Sequence, residues 1–218
     1  MQWIRAAFTE LVEVPLVWLL AGPRVERVGA EPLRGPMLLI ANHVNAYDVP
    51  LVLYALPGRM RRHVAAAMSA ETLGDMRHGR NQANWMVNVL AMPASWLLVA
   101  LFNVFPLPRL SGFRRSFAHA GEALDRGYSV LVFPEGRRSH TGELAAFRPG
   151  IGLLVQESNV PVLPVALQGM GTSERGKRWF RTGKLVVRVG EPVRFAADAS
   201  PEEITRRLET ALRELGPS

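Results

Sequence analysis

Short apolar runs alternate with helical patterns along most of this chain, and this alternation limits the folds that it can adopt. Each run has five or six residues, most of them Val, Leu, Ile or Ala, and is too short for a typical helix. Strands are predicted at residues 37–41, 63–67, 129–133, 162–167 and 185–189, and helices at 49–56, 113–126, 149–158 and 201–215. Strands that alternate with helices predict an α/β fold with a mixed, largely parallel central sheet flanked by helices.

The first 22 residues are predicted to form a unit of their own. They are mostly apolar but include three charged residues, which argues against a cleavable signal sequence. We predict a helix in the membrane interface over residues 1–22, with Trp3 and Trp18 at the depth of the lipid headgroups. A terminal helix packed on the core is an equally good interpretation. The main domain is then predicted to cover residues 23–218.

The charge and the residue types narrow the choice of partners. The formal net charge of +7 favours anionic partners. Because the basic residues are dispersed and lack interleaved aromatic residues in a nucleic-acid-binding motif, we predict contact with an anionic membrane surface and no nucleic acid. The chain has no cysteine, which excludes a cysteine nucleophile and disulfides. The histidine spacing predicts no metal site, and no cofactor is predicted.

The first candidate site is the segment NHVNAYD, residues 42–48, which follows a predicted strand. In α/β sheets, functional side chains gather beyond the carboxyl ends of strands. The Asp48 carboxylate can turn back to His43, fix the tautomer of the imidazole and let the other ring nitrogen take a proton from a hydroxyl. Taken alone, a His-x4-Asp spacing arises by chance roughly one time in ten in a chain of this composition. A helix cap beside an ordinary turn histidine is then the better interpretation.

The second candidate site is FPEGRRS, residues 133–139, which again ends a predicted strand. Gly136 allows a ligand to approach the backbone closely. Either Arg137 or Arg138 could bind a phosphate with both prongs of its guanidinium. Glu135 could bind a hydroxyl or hold an arginine. An exposed polar turn is an equally good interpretation of this segment alone.

Together, the two segments resemble the motifs of the glycerolipid acyltransferases, the family of the lysophosphatidic acid acyltransferases. That family carries an Asn-His-x4-Asp motif and, later in the chain, a Phe-Pro-Glu-Gly-x-x-Ser motif. The residues that match them here are Asn42, His43 and Asp48, and then Phe133, Pro134, Glu135, Gly136 and Ser139. A later motif is matched by VPVLPV, residues 160–165, with its prolines Pro161 and Pro164. The resemblance extends over residues 36–193.

Two positions depart from the family pattern. The middle motif, Gly-x-x-Phe-Ile-x-Arg, is matched only in part by NVFPLPR, residues 103–109. Arg109 is kept, but Asn103 replaces the glycine and Pro106 the phenylalanine. Arg137 stands where the family usually has threonine.

The resemblance implies transfer of a fatty acyl group from an acyl-CoA or acyl-carrier-protein thioester to the free hydroxyl of lysophosphatidic acid. The product would be phosphatidic acid, made in phospholipid biosynthesis. His43, oriented by Asp48, would be the general base. The residues implied to bind the acceptor are Asn42, Arg109, Glu135, Gly136, Arg137, Arg138 and Ser139, and those with a structural role are Phe133, Pro134, Pro161 and Pro164.

Several alternatives remain open at this point. The same chemistry could act on another lysolipid or on glycerol 3-phosphate, and a hydrolase would use water as the acceptor. A protein of a different class, which binds anionic lipids without catalysis, would also explain the charge. The absence of a Gly-x-Ser-x-Gly motif and of cysteine agrees with direct transfer that needs no acyl-enzyme.

A long apolar segment, residues 85–105, bears on how the chain meets the membrane. Its 21 residues carry no charge and could span a hydrocarbon core of ~30 Å. A single crossing would place His43 and Glu135 on opposite sides of the membrane, although both are predicted to act on one substrate. We therefore predict a helical segment that bends at Pro93 within one leaflet, and a monotopic association with the cytoplasmic face of the cell membrane. A buried core helix is the alternative.

Overall fold

A computed structural model describes residues 2–44, 47–69, 73, 75, 78, 104–107, 113–139, 143–169 and 185–216. In these residues the strands are β1 (Arg24–Arg27), β2 (Leu38–Ala41), β3 (Val64–Ser69), β4 (Val104–Leu107), β5 (Ser129–Val132), β6 (Val162–Gln168) and β7 (Val186–Val189). The helices are α1 (Gln2–Phe8), α2 (Val14–Leu20), α3 (Asp48–Ala55), α4 (Gly58–Arg61), α5 (Phe113–Asp125), α6 (Gly150–Ser158) and α7 (Pro201–Leu215).

The strands form one sheet in the order β1-β7-β6-β2-β5-β3-β4. From β6 to β4 all neighbours are parallel, whereas β7 runs antiparallel to β6 and β1 is parallel to β7. The predicted mixed, largely parallel sheet is therefore confirmed, and all five predicted strands are present. The order also places β2 between β5 and β6, in the middle of the sheet.

Two hydrophobic clusters cover the two faces of this sheet. Leu39 and Leu131 belong to a cluster shared with α2 and α3, whereas Leu38 and Val130 belong to a cluster shared with α5, α6 and α7. Every residue of β2 and β5 is buried. Strands that are covered on both faces read as continuous apolar runs, which is why the sequence identified them.

Two strands were missed by the sequence prediction. The strand β1 has the sequence RVER, and its charged side chains lie at an edge, where Glu26 pairs with Arg188 at 2.7 Å. The strand β4 corrects the end of the apolar segment predicted over residues 85–105, because Val104 and Phe105 belong to a strand that pairs with β3. The place of Pro106 agrees with the usual confinement of proline to edge strands, because β4 is at an edge of the described sheet. Residues 85–103 lie outside the described part of the chain.

The N-terminal helix runs from Gln2 to Leu20 with a π-helical turn, Thr9–Glu13, between α1 and α2. The N–H of Val14 donates to the Thr9 carbonyl five residues earlier, and Pro15, which has no N–H to donate, follows directly. Val17 is buried, and α2 packs against α3. The helix nevertheless leaves a row of apolar side chains exposed, among them Trp3 (89%), Ile4, Leu11, Val12, Leu16, Trp18 (55%) and Leu19.

None of the helices in the described part of the chain combines the length and the hydrophobicity that crossing a bilayer requires.

The π-helical turn carries a buried carboxyl group. Glu13 is only 5% exposed, and both of its carboxylate oxygens are buried without a hydrogen-bond partner among the described residues. Burial raises the pKa of Glu13 to about 7, and the lowering effects of the nearby Thr9 side chain and of the Arg61 charge offset only part of this rise. The neighbouring Glu10 pairs instead with Arg62 at 3.1 Å, near the surface. The packing of this helix on the domain therefore depends on a titratable group.

Replacing Glu13 by glutamine is expected to remove a pH dependence of stability. The pKa of Glu13 is higher in the folded than in the unfolded protein, so folding takes up a proton between these two pKa values. The resulting contribution of Glu13 to the free energy of unfolding is fully present below the ordinary pKa of 4.5 and is lost as the pH rises through about 7. Between about pH 5 and about pH 8, the wild type should lose about 2 kcal/mol of unfolding free energy relative to Glu13→Gln. Urea denaturation at the two pH values measures the difference. Glu10→Gln is the control, and equal pH dependence in wild type and Glu13→Gln would contradict the prediction.

Candidate active site

The carboxyl ends of β2 and β5 lie side by side because the two strands are parallel neighbours, with Ile40 opposite Val132. The chain leaves β2 through Asn42 and His43, and it leaves β5 through Phe133 and the turn that follows. As a result, the imidazole of His43 stacks on the ring of Phe133, with centroids 4.3 Å apart and an interplanar angle of 22°. The two segments singled out in the sequence meet at this point.

His43 and Asp48 are in direct contact. The Nδ1 atom of His43 lies 2.7 Å from Oδ2 of Asp48, which is fully buried at the start of α3. The same oxygen accepts the N–H of Val44 at 2.7 Å. Since a carboxylate only accepts hydrogen bonds, the neutral imidazole carries its proton on Nδ1 and presents Nε2 as an acceptor. With a side chain that is 22% exposed, His43 can receive a proton from a bound hydroxyl group.

Glu135 is buried in the turn after β5, with 3% of its surface exposed. Its Oε1 accepts the backbone N–H of His43 at 2.8 Å, and its Oε2 accepts that of Ala145 at 2.9 Å. Burial raises the pKa of the Glu135 carboxyl above its usual value, against the lowering effect of these two hydrogen bonds. Both of its oxygens are therefore engaged with the backbone.

Asn42 and Ser139 make further contacts with the backbone around this site. The side-chain amide of Asn42 donates to the carbonyl of Leu167 at 3.0 Å, and its oxygen accepts the Leu167 N–H at 2.7 Å. The N–H of Ser139 donates to the carbonyl of His43 at 2.7 Å. Residues 135–139 thus hold the main chain of His43 through both its N–H and its carbonyl.

Several exposed arginines lie in or near the turn after Glu135. Gly136 has a φ of +68°, which favours glycine, and a Cβ at this position would overlap the Nε of Arg148. Arg137 and Arg138 follow it on the surface, and Arg148 is also exposed. The sequence prediction missed Arg148. One signal was available, because Arg148 lies two residues before the first residue of α6, and a basic residue near a helix N-terminus is electrostatically unfavourable unless an anion is nearby.

The remaining predicted site residues have separate places. The carbonyl of Pro134 accepts the N–H of Arg148, and that of Pro161 accepts the N–H of Leu38, both at 2.9 Å. Pro164 lies within β6 opposite Ile40. Arg109 lies outside the described residues.

The family of this chain follows from a comparison with family models. The model described as Acyltransferase matches residues 24–168, about two thirds of the chain and the region of both segments above. The chain belongs to the acyltransferase family. The expectation of an acyltransferase, drawn from the motifs, is thereby confirmed.

Individual relatives agree with this family. The chain is 27% identical over 181 residues to 1-acyl-sn-glycerol-3-phosphate acyltransferase alpha of Bos taurus, a match that covers 80% of this chain and 55% of the bovine protein. It is 32% identical over 143 residues to the lyso-ornithine lipid O-acyltransferase of Pseudomonas aeruginosa, which covers 65% of this chain and 46% of that protein. The chain therefore spans about half the length of these relatives.

A solved structure shares the fold. The crystal structure of the 1-acyl-sn-glycerophosphate acyltransferase PlsC from Thermotoga maritima matches with a TM-score of 0.63 and 24% sequence identity. The match covers 98% of this acyltransferase-family chain and 78% of the Thermotoga chain. At this identity the likeness concerns the fold, and it agrees with the α/β architecture described above.

Proposed function

We propose that this chain transfers a fatty acyl group from an acyl-CoA or acyl-carrier-protein thioester to the free hydroxyl of lysophosphatidic acid, which gives phosphatidic acid. The observation that supports this most strongly is the 2.7 Å contact between His43 Nδ1 and Asp48 Oδ2 at the carboxyl end of β2. Membership of the acyltransferase family and the printed names of its glycerolipid relatives support the reaction class.

The proposed reaction proceeds in one transfer step. The acceptor hydroxyl donates a hydrogen bond to Nε2 of His43, which takes the proton while the hydroxyl oxygen attacks the thioester carbon. The buried carboxylate of Asp48 stabilises the imidazolium that forms. When the tetrahedral intermediate collapses, the carbon–sulfur bond breaks and the imidazolium returns the proton to the leaving thiolate. The products are an ester and a free thiol, and no acyl-enzyme is formed.

The arginines beside Gly136 support an acceptor that carries a phosphate. Arg137, Arg138 and Arg148 are all exposed at the edge of the site, next to the turn that contacts His43. Guanidinium groups bind phosphate oxygens in pairs, which fixes the orientation of the ligand as well as its position. Arg109, predicted from the motif to share this role, stays a prediction.

A second acceptor deserves direct comparison in the same assay. The Pseudomonas relative is named for lyso-ornithine lipid, a lysolipid with a different headgroup. The chemistry at His43 would be identical, so only the residues around the headgroup would distinguish the two acceptors. Glycerol 3-phosphate and a hydrolase reaction with water are tested alongside.

The exposed apolar row on the N-terminal helix supports a membrane-bound enzyme. Trp3 and Trp18 lie exposed near opposite ends of that helix, and tryptophan favours the interface of a bilayer. We propose that the helix lies in the cytoplasmic leaflet of the cell membrane, where anionic lipids attract this positively charged protein. Flotation with anionic vesicles tests this, and a protein that stays at the bottom of the gradient with and without such vesicles would contradict it.

Thiol release measures the proposed reaction directly. The protein in detergent is mixed with acyl-CoA and lysophosphatidic acid, and the free thiol is followed with a colorimetric reagent, to which an enzyme without cysteine contributes no background. We expect release that depends on lysophosphatidic acid and yields phosphatidic acid. Release of thiol and free fatty acid without an acceptor would indicate a hydrolase instead. Thiol release only with lyso-ornithine lipid or glycerol 3-phosphate would identify that compound as the acceptor in place of lysophosphatidic acid. No thiol release from either acyl-CoA or acyl-carrier protein would contradict the proposed function.

A further inference from the structure

We infer that Glu135 and Asn42 are positioning residues, which hold the main chain around His43 in place and do not bind the acceptor. This inference rests on the proposed function of His43 as the general base. It assigns both side chains a role different from the acceptor contacts that the motifs imply.

The contacts of Glu135 leave little of its carboxylate for a ligand. One oxygen accepts the N–H of His43 and the other accepts the N–H of Ala145, at 2.8 and 2.9 Å. The side chain is also almost completely buried. An acceptor hydroxyl or an arginine would have to reach the carboxylate of a residue that is only 3% exposed, or displace one of these N–H groups, and a buried N–H without a partner is unfavourable.

Asn42 continues the sheet by one step with its side chain. The last backbone pair between β2 and β6 is Ala41 opposite Val165. Beyond it, the side-chain amide of Asn42 both donates to and accepts from the backbone of Leu167, and these two hydrogen bonds extend the connection between β2 and β6 past the last backbone pair. The end of β2 is thereby fixed to β6 on one side, while Glu135 fixes His43 to the β5 turn on the other.

The result is that His43 is held from several directions. Its N–H is bound by Glu135, its carbonyl by the N–H of Ser139, and its ring by Asp48 and Phe133. A general base must lie within hydrogen-bond reach of the proton that it removes. A displacement of ~1 Å in such a group can lower a rate by about 100-fold, so the side chains that fix its backbone matter to the rate and not to substrate affinity.

Glu135→Gln tests this inference because the glutamine has nearly the same shape but turns an N–H₂ group towards one of the two backbone N–H groups. Glu157→Gln, on the exposed face of α6, is the matched control. We expect Glu135→Gln to lower kcat by about 100-fold and to leave the KM for the acceptor within about twofold. The control should match the wild type in both. Circular dichroism verifies that each variant is folded.

A spectroscopic measurement decides the same point without turnover. In protein labelled with ¹⁵N-histidine, the Nδ1 proton of His43, identified by its loss in His43→Ala, reports the hydrogen bond to Asp48. We expect this resonance to shift or broaden in Glu135→Gln and to stay in place in Glu157→Gln. If the wild type transferred no acyl groups to any acceptor, the proposed function would fail while the resonance would still decide the positioning role.

Two results would overturn the inference. A large rise in the acceptor KM with an unchanged kcat would make Glu135 a substrate ligand. A wild-type kcat together with an unchanged His43 resonance would show that the contact is not needed. If Glu135→Gln does not fold, Asn42→Asp provides the second variant, since it removes the donor to the Leu167 carbonyl while Glu135 stays intact. We expect Asn42→Asp likewise to lower kcat and to leave the KM for the acceptor nearly unchanged. A raised KM with an unchanged kcat would again overturn the inference.

Discussion

Replacing His43 by alanine is expected to lower the rate of acyl transfer by about 10²- to 10⁴-fold, the usual contribution of a general base. The variant loses the group that removes the proton from the acceptor hydroxyl, while the backbone contacts of residue 43 with Glu135 and Ser139 can persist. Single-turnover thiol release with saturating acceptor measures the chemical step separately from product release. The KM for the acceptor should change much less than kcat.

The control for this variant is His119→Ala. His119 is exposed on α5, so its removal leaves the proposed base in place and should leave the rate unchanged. A His43→Ala variant that is folded and as active as the wild type would move the chemistry away from the His43–Asp48 pair. Equal losses in both variants would point to a general effect of removing histidines and would also contradict the proposed role.

Replacing Gly152 by alanine is expected to destabilise the fold by about 3 kcal/mol, at the upper end of the usual range for overpacking. Gly152 lies where α6 meets the start of α7, and a Cβ there would overlap the carbonyl oxygen of Pro201 and lie 2.6 Å from Oγ1 of Thr205. The carbonyl belongs to the backbone and also accepts the Thr205 hydroxyl, so it cannot turn aside as a flexible side chain would. Urea denaturation gives the free energy of unfolding.

Gly121→Ala is the matched control, since Gly121 also lies within a helix. A Cβ at Gly121 meets no described atom within 4 Å. Alanine is favoured over glycine inside helices by about 0.5–1 kcal/mol, so this variant should be slightly more stable than the wild type. Opposite signs for the two substitutions are the expected result. A Gly152→Ala variant as stable as the wild type would show that α6 and α7 can separate at no cost.

The parts of the fold that could be predicted from the sequence are those whose signals are local. β2 and β5 were identified because burial on both faces requires a continuous apolar run. The last helix was identified by its cap, and the Ser200 hydroxyl indeed accepts the N–H of Glu203 at 3.2 Å. The contact between His43 and Asp48 is also local, because only four residues separate them in the sequence.

The parts that could not be predicted depend on distant partners. The charged sequence of β1 resembles a loop until Arg188 is found beside Glu26. The contacts of Asn42 and Glu135 could not be identified either, because their partners are backbone groups, which every residue carries. Asn42 and Leu167 are 125 residues apart, and no side-chain pattern marks such a pair. For this reason the motifs led to two segments that meet in the fold but not to the partners of each side chain.

The pairing of β1 with β7 joins parts of the chain that a ribosome makes at very different times. Glu26 and Arg188 are separated by 162 residues, so β1 gains its sheet neighbour only after Arg188 has been synthesised. At usual rates of translation this takes roughly ten to thirty seconds, and such distant pairings also form slowly. The exposed tryptophans and leucines before β1 are present throughout this interval. Under the proposed membrane association, the helix is therefore available to a bilayer before the domain behind it has folded.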